Sequence, residues 1–158
     1  MLKAVFPGSF DPPTLGHLNI IERASSIFDE LVVVVAENRH KTHLFTAKER
    51  FSMMEEMLQS EKNIKCLVWD SLLVDFMKRE DIRIIIRGIR GMDDFSYEFE
   101  LSMMNKALHP NIETLFMSTD QKYIVLRSSS IKELASFRGD VSMMVPPLVA
   151  EALKKKFA

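Results

Sequence analysis

Ser9, His17, Lys41, Arg87, Arg90, Ser128 and Ser129 lie far apart in the chain but share one chemistry. They are cations and hydroxyls, with no nucleophilic cysteine, no serine–histidine–aspartate grouping and no motif for a reducible cofactor. Such a set stabilises negative charge on a polyphosphate and does little covalent chemistry itself. Each part has a plainer reading when taken alone. Pro7-Gly8-Ser9-Phe10-Asp11-Pro12-Pro13-Thr14-Leu15-Gly16-His17 could be a Pro/Gly turn closed by a capping histidine. Its glycines also let the backbone approach a ligand, and His17 starts a helix whose free N–H groups and dipole favour an anion. It is neither a dinucleotide G-x-G-x-x-G nor a P-loop.

Glu37-Asn38-Arg39-His40-Lys41-Thr42-His43 reads either as a solvated loop or as the carrier of a phosphate-binding Lys41; its histidines lack the cysteine or carboxylate pattern of a metal site. Arg87 and Arg90, each followed by glycine (Gly88, Gly91), offer planar donor forks suited to phosphate, the alternative being a structural ion pair. Asp93, Asp94 and Glu98 complement the dipole at a helix start, and Glu98 could accept from a ligand hydroxyl or orient an arginine. Ser130 is the expected N-cap of a later helix because Glu133 completes a capping box, which leaves Ser128 and Ser129 just ahead of the helix to hold phosphate oxygens.

The elements that must bring these residues together are legible as alternating patterns. Strands are expected at 2–6, 31–36, 64–69, 82–86 and 112–117, from short, nearly continuous apolar runs of the kind covered on both faces in a parallel sheet. Helices are expected after His17, from the capping box at Thr46–Glu49 to about residue 60, at 71–80 and 94–108, from Ser130, and after Pro146-Pro147. This alternation predicts one α/β domain over residues 1–158, a doubly wound five-stranded parallel sheet with right-handed crossovers. Ligands in such sheets sit at the carboxyl ends of the strands, near the reversal of strand order. The seven side chains all follow strands or open helices there.

The chain has 158 residues, 47% hydrophobic and 27% charged, with 21 basic and 22 acidic side chains for a net charge of −1. A dedicated nucleic-acid binder carries a basic excess, so no nucleic-acid partner is expected. Cys66, the only cysteine, rules out an intramolecular disulfide and reads as a small buried hydrophobe. No apolar run approaches the ~20 residues that span a bilayer, and no signal peptide is apparent, so a cytoplasmic location without membrane attachment is expected. The pairs Met53-Met54, Met103-Met104 and Met143-Met144 read as core or subunit-interface filler.

Thr14-Leu15-Gly16-His17 resembles the (H/T)-x-G-H signature of the nucleotidylyltransferase superfamily. The longer string PGSFDPPTLGH (7–17), with FTAKER (45–50), IRGIR (86–90), DFSYEFEL (94–101), SSSIKE (128–133) and GDV (139–141), is similar nearly end to end to the phosphopantetheine adenylyltransferase family. The resemblance implies a Rossmann-like nucleotidyltransferase fold that transfers the adenylyl group of ATP to 4′-phosphopantetheine. The products would be dephospho-CoA and pyrophosphate, in the penultimate step of coenzyme A synthesis, with Mg²⁺. It also implies a cytoplasmic homohexamer, inhibited in some members by coenzyme A.

Carried over by motif, Ser9 and Phe10 would contact ATP, and Ser9 also the acceptor phosphate. His17, Lys41 and Arg90 would be catalytic, with His17 stabilising charge on the α-phosphate. Lys41, Leu73 and Arg87 would line the acceptor side. Gly88, Ile89, Arg90 and Glu98 would bind ATP, together with Tyr123, Ile124, Val125, Leu126, Arg127, Ser128 and Ser129. The chain departs from the family at Ser9, where many members have threonine, and at Arg127, where the first of three serines is usual. The competing readings are another transferase of the superfamily, acting on nicotinamide mononucleotide or a glycerol phosphate, and a non-catalytic nucleotide-binding module.

Overall fold

In the computed structural model, which describes residues 1–38 and 40–158, five parallel strands form one sheet in the order β3-β2-β1-β4-β5. Arg39, within the Glu37–His43 string, lies outside the described residues. The strands are β1 (Lys3–Gly8), β2 (Glu30–Ala36), β3 (Ile64–Trp69), β4 (Ile84–Ile89) and β5 (Glu113–Ser118). The helices are α1 (Leu15–Ser25), α2 (Ala47–Leu58), α3 (Leu73–Arg79), α4 (Met92–Leu108), α5 (Ser128–Ser136) and α6 (Pro147–Lys156), with a single 3₁₀ turn at Gln121–Tyr123.

The two faces of the sheet explain the apolar runs. Alternate residues of β1, β2 and β4 (Phe6, Val33, Val35, Ile86) pack on Ile20, Ile21 and Ala24 of α1 and Met54 of α2. Their neighbours (Val5, Val32, Val34, Ile85) pack on Val74, Phe76 and Met77 of α3. Each such side chain contributes roughly 1.5–3 kcal/mol on burial. A third cluster joins α5 and α6 to Phe45 and Met53. The edge strands depart from expectation. β3 and β5 alternate between partly buried and exposed residues, because each has a neighbour on one side only and incomplete helix cover.

Two strands run further than the apolar pattern suggests. β1 continues through Pro7 and Gly8, paired with Val34 and Val35. β4 starts later and continues through Arg87 and Gly88 to Ile89, paired with Ser118 of β5. The ladder between β1 and β4, however, holds only Ala4↔Ile84 and Val5↔Ile85. Beyond it the two central strands have no shared register, at the place where strand order reverses. Pro7 fits there: its carbonyl accepts from Arg87 Nη1 (2.7 Å) on the β4 side. A residue's N–H and C=O point to the same side of a strand, so the missing proline N–H faces this opening and no ladder bond is lost.

Two capping boxes form, Thr14 with His17 and Thr46 with Glu49. The one expected at Ser130 does not. α5 starts at Ser128, its N-cap is Arg127, and no side chain caps it. Ile131 N–H already donates to Arg127 O (3.0 Å), and the Ser128 hydroxyl is bonded to Pro12 O (2.9 Å), so the cap falls at Arg127 rather than Ser130 and Ser130 is inside the helix.

Candidate active site

Above the opening between β1 and β4 lies a cleft of about 450 Å³. It gathers Ser9, Phe10 and Lys41 from the loops after β1 and β2, His17 from the first turn of α1, Arg87, Gly88 and Arg90 from β4 and its end, and Glu98 from α4. Leu126, Arg127, Ser128 and Ser129 close the far side. The seven side chains singled out for polyphosphate binding therefore share one cavity. Leu73, Ile89, Tyr123, Ile124 and Val125 do not line it. Leu73 opens α3 and packs with the opposite core, and Ile89 ends β4. Ile124 and Val125 face outward, while Tyr123 lies over Gly16.

His17 is held in one orientation. Thr14 N–H donates to its Nδ1 (3.0 Å), while Thr14 Oγ1 accepts from His17 N–H (3.2 Å). With Nδ1 accepting, the proton of the neutral ring is on Nε2, which becomes a donor. Burial, then the charges of Arg90 and Arg87, push its pKa down to about 4, so the ring is neutral at pH 7. Phe10 packs against it edge-on (5.1 Å between centroids). Phe10 sits in the left-handed region (φ 50°), folded back so far that a Cβ on Gly8 would come within 2.8 Å of its ring. The tight approach is why a glycine ends β1.

The two arginines are mounted alike. Arg87 Nε and Nη2 donate to Glu98 (2.6 and 2.5 Å), and Nη1 to Pro7 O. Arg90 Nε and Nη2 donate to Asp94 (2.8 and 3.2 Å), and Nη1 to Leu126 O (2.9 Å). Asp94 and Glu98 are one turn apart on α4, so one helix orients both forks. Three of five N–H groups are engaged on each arginine, which leaves two for a ligand. Glu98 thus orients an arginine, and the ion-pair reading of Arg87 holds alongside its place in the cleft.

Sequence reasoning missed Asp11, Asp94 and Lys132 as cleft residues, although all three lie inside strings quoted above. Asp11 accepts from Leu44 N–H and Phe45 N–H (2.9 Å each) and from Lys132 Nζ (2.8 Å). Burial pushes its carboxyl up, but Lys132 and the two amides outweigh that and hold it below the usual carboxylate range.

A doubly wound sheet with a cation-lined cleft at its order reversal suits a nucleotidyltransferase, and the cytidylyltransferase-like family model, which matches residues 5–134, places the chain in that class. The chain is 49% identical over 157 residues to a phosphopantetheine adenylyltransferase of Dictyoglomus turgidum, covering 99% of this chain and 98% of that one. It is 47% identical to one from Clostridium botulinum, covering 99% and 95%. The chain belongs to the phosphopantetheine adenylyltransferase family. A solved structure from Vibrio parahaemolyticus, assigned as a nicotinate-nucleotide adenylyltransferase, shares the fold with a TM-score of 0.71 over 98% of this chain and 93% of that one, at 20% identity.

Proposed function

We propose that the chain transfers the adenylyl group of ATP to 4′-phosphopantetheine, giving dephospho-CoA and pyrophosphate. The observation that carries this is the cleft itself: a fixed Nε2–H donor, two pre-oriented arginine forks and Lys41 around one cavity, with no activated nucleophile. The acceptor phosphate oxygen attacks the α-phosphorus of ATP in line, the new P–O bond forms, and the α–β bridging oxygen leaves with pyrophosphate. A phosphate nucleophile is ionised at neutral pH, so no enzyme base is required. Positioning and charge stabilisation carry the catalysis. His17 Nε2–H holds charge on the α-phosphate, Arg90 and Lys41 hold the remaining phosphate charge, and Ser9, Lys41 and Arg87 receive the acceptor phosphate. Ser128, Ser129 and Arg127 lie where the triphosphate tail would pass the α5 N-terminus.

Mg²⁺ belongs to this reading as a partner of the ATP. Asp11, Asp94 and Glu98 are each engaged by a cation, and no group of three His, Cys, Asp or Glu among the described residues could hold a metal. The donor set therefore fits an ion carried in by phosphate oxygens and water, the usual way with Mg²⁺, rather than one caged by protein. Bound there, it would neutralise charge on the departing pyrophosphate.

Homohexameric assembly fits a further observation. None of the 17 residues of α4 is buried, and Met92, Tyr97, Phe99, Met103, Met104 and Leu108 are exposed apolar side chains beside exposed Leu115 of edge strand β5. An apolar face of this extent on one helix and an adjoining strand suits another copy of the chain. Sedimentation at six chain masses supports this; a monomer at micromolar concentration contradicts it. Coenzyme A, which contains both the acceptor arm and an adenylyl group, would compete for the same cleft. No helix among the described residues is long and apolar enough to cross a membrane.

The deciding experiment compares kcat/KM for 4′-phosphopantetheine, nicotinamide mononucleotide and glycerol 3-phosphate by pyrophosphate release. Preference for 4′-phosphopantetheine supports the reading, and preference for either other acceptor overturns it. ATP binding with no pyrophosphate from any acceptor would favour a non-catalytic module.

A further inference from the structure

Arg50, on the first turn of α2, is fully buried, and no phosphate could reach it. Its guanidinium makes four bonds. Nε donates to Phe45 O (3.1 Å), Nη1 to Ser9 O (2.7 Å) and Ala36 O (3.0 Å), and Nη2 to Glu37 Oε2 (3.1 Å). Ala36 ends β2 and Phe45 immediately precedes the Thr46 cap, so both feet of the loop that carries Lys41 are held by one side chain. The same group holds the carbonyl of Ser9, a residue that lines the cleft. Asp11 repeats the connection from the other side through Leu44 N–H and Phe45 N–H. Between those feet the loop closes on itself, with Lys41 N–H donating to Asn38 O (3.0 Å), and Lys41 is exposed. The direction of Lys41 therefore depends on where the feet are fixed.

A buried arginine could serve only to satisfy strand-end carbonyls. The distribution of its partners argues for more. They are Ser9 and the two ends of the loop that carries Lys41, the residues read above as receiving the acceptor phosphate. The ATP-side fork, Arg90, is mounted independently on Asp94 and Leu126 O.

We propose that Arg50 is a positioning residue for the acceptor: it fixes Lys41 relative to Ser9 and so governs use of the acceptor phosphate rather than binding of ATP. This rests on the reading of Lys41 and Ser9 as acceptor-phosphate ligands given above. Only a planar fork meets four acceptors in this arrangement, so lysine is not an equivalent replacement.

The test is a double-mutant cycle on the full chain, with Arg50→Lys, Lys41→Ala and the pair. Misplacement on the scale of an ångström costs up to about 10²-fold, so Arg50→Lys should lower kcat/KM for 4′-phosphopantetheine by about 10–100-fold, with KM for ATP changed less than about 2-fold. If Arg50 acts through Lys41, the effects are non-additive, and the double variant should be within about 3-fold of Lys41→Ala alone. Multiplying effects, or equal loss toward ATP and acceptor, would overturn the proposal. Should Arg50→Lys fail to fold, Glu37→Gln keeps the three carbonyl bonds and removes the ionic partner. It should produce a smaller loss confined to the acceptor, and a loss shared with ATP overturns the proposal equally. A wild-type chain that does not use 4′-phosphopantetheine refutes the functional reading instead, so the two failures are distinguishable.

Discussion

Replacing His17 with alanine removes one defined donor. Because Nδ1 is occupied by Thr14 N–H, the ring presents only Nε2–H to the cleft, and with a pKa near 4 it does so in neutral form throughout the physiological range. Losing one preorganised donor to developing charge raises the barrier by about 2.7–4 kcal/mol, so kcat should fall roughly 10²–10³-fold. The substitution also strips Thr14 N–H of its acceptor, at about 1 kcal/mol of stability, which leaves the variant folded. The assay is pyrophosphate release at saturating ATP and acceptor, with circular dichroism to confirm folding. Nitrogen NMR of the wild type checks the premise and should report the Nε2–H tautomer, neutral down to about pH 5. A variant with kcat within about threefold of wild type, or a ring that titrates near 6.5, would refute the reasoning.

Three other outcomes are expected. Gly8→Ala forces the Phe10 ring off its place against His17, so stability should fall by about 1–3 kcal/mol and KM for ATP should rise, read by urea denaturation and steady-state kinetics. Glu98→Gln leaves the partly buried Arg87 without its charge partner. We expect about 1–3 kcal/mol of destabilisation, below the fully buried case because both side chains keep some solvent, and a raised acceptor KM with ATP KM little changed. His17 has a folded pKa of about 4, below its unfolded 6.5, so the unfolded chain takes up the proton first as pH falls. Stability should therefore be complete above 6.5 and decline toward pH 4, by up to about 3 kcal/mol, in urea titrations of the wild type and not of His17→Ala.

Much of this was legible in the sequence because the central strands are apolar on both faces and the second helix carries a complete Thr46–Glu49 capping box, whereas the Thr14–His17 box at the first helix lacks the usual glutamate or glutamine and emerged only from the structure. The strand ends were less so. Arg87 and Gly88 break an apolar run, but β4 continues through them because the β5 register continues to Ile89↔Ser118. Serine–glutamate spacing suggested Ser130 as a cap, yet the bond from Ser128 to Pro12 O starts α5 earlier. Nothing in the local spacing of FTAKER marks Arg50 for burial, and only tertiary closure buries it. The pairing of Arg87 with Glu98 and of Arg90 with Asp94 depends on how α4 lies over β4, which local spacing does not encode.

The central claim is tested most directly by the products formed from ATP and 4′-phosphopantetheine, identified by phosphorus NMR and mass spectrometry. The account predicts dephospho-CoA and pyrophosphate in equal amounts. Formation of ADP or AMP, or no new phosphodiester, would contradict it.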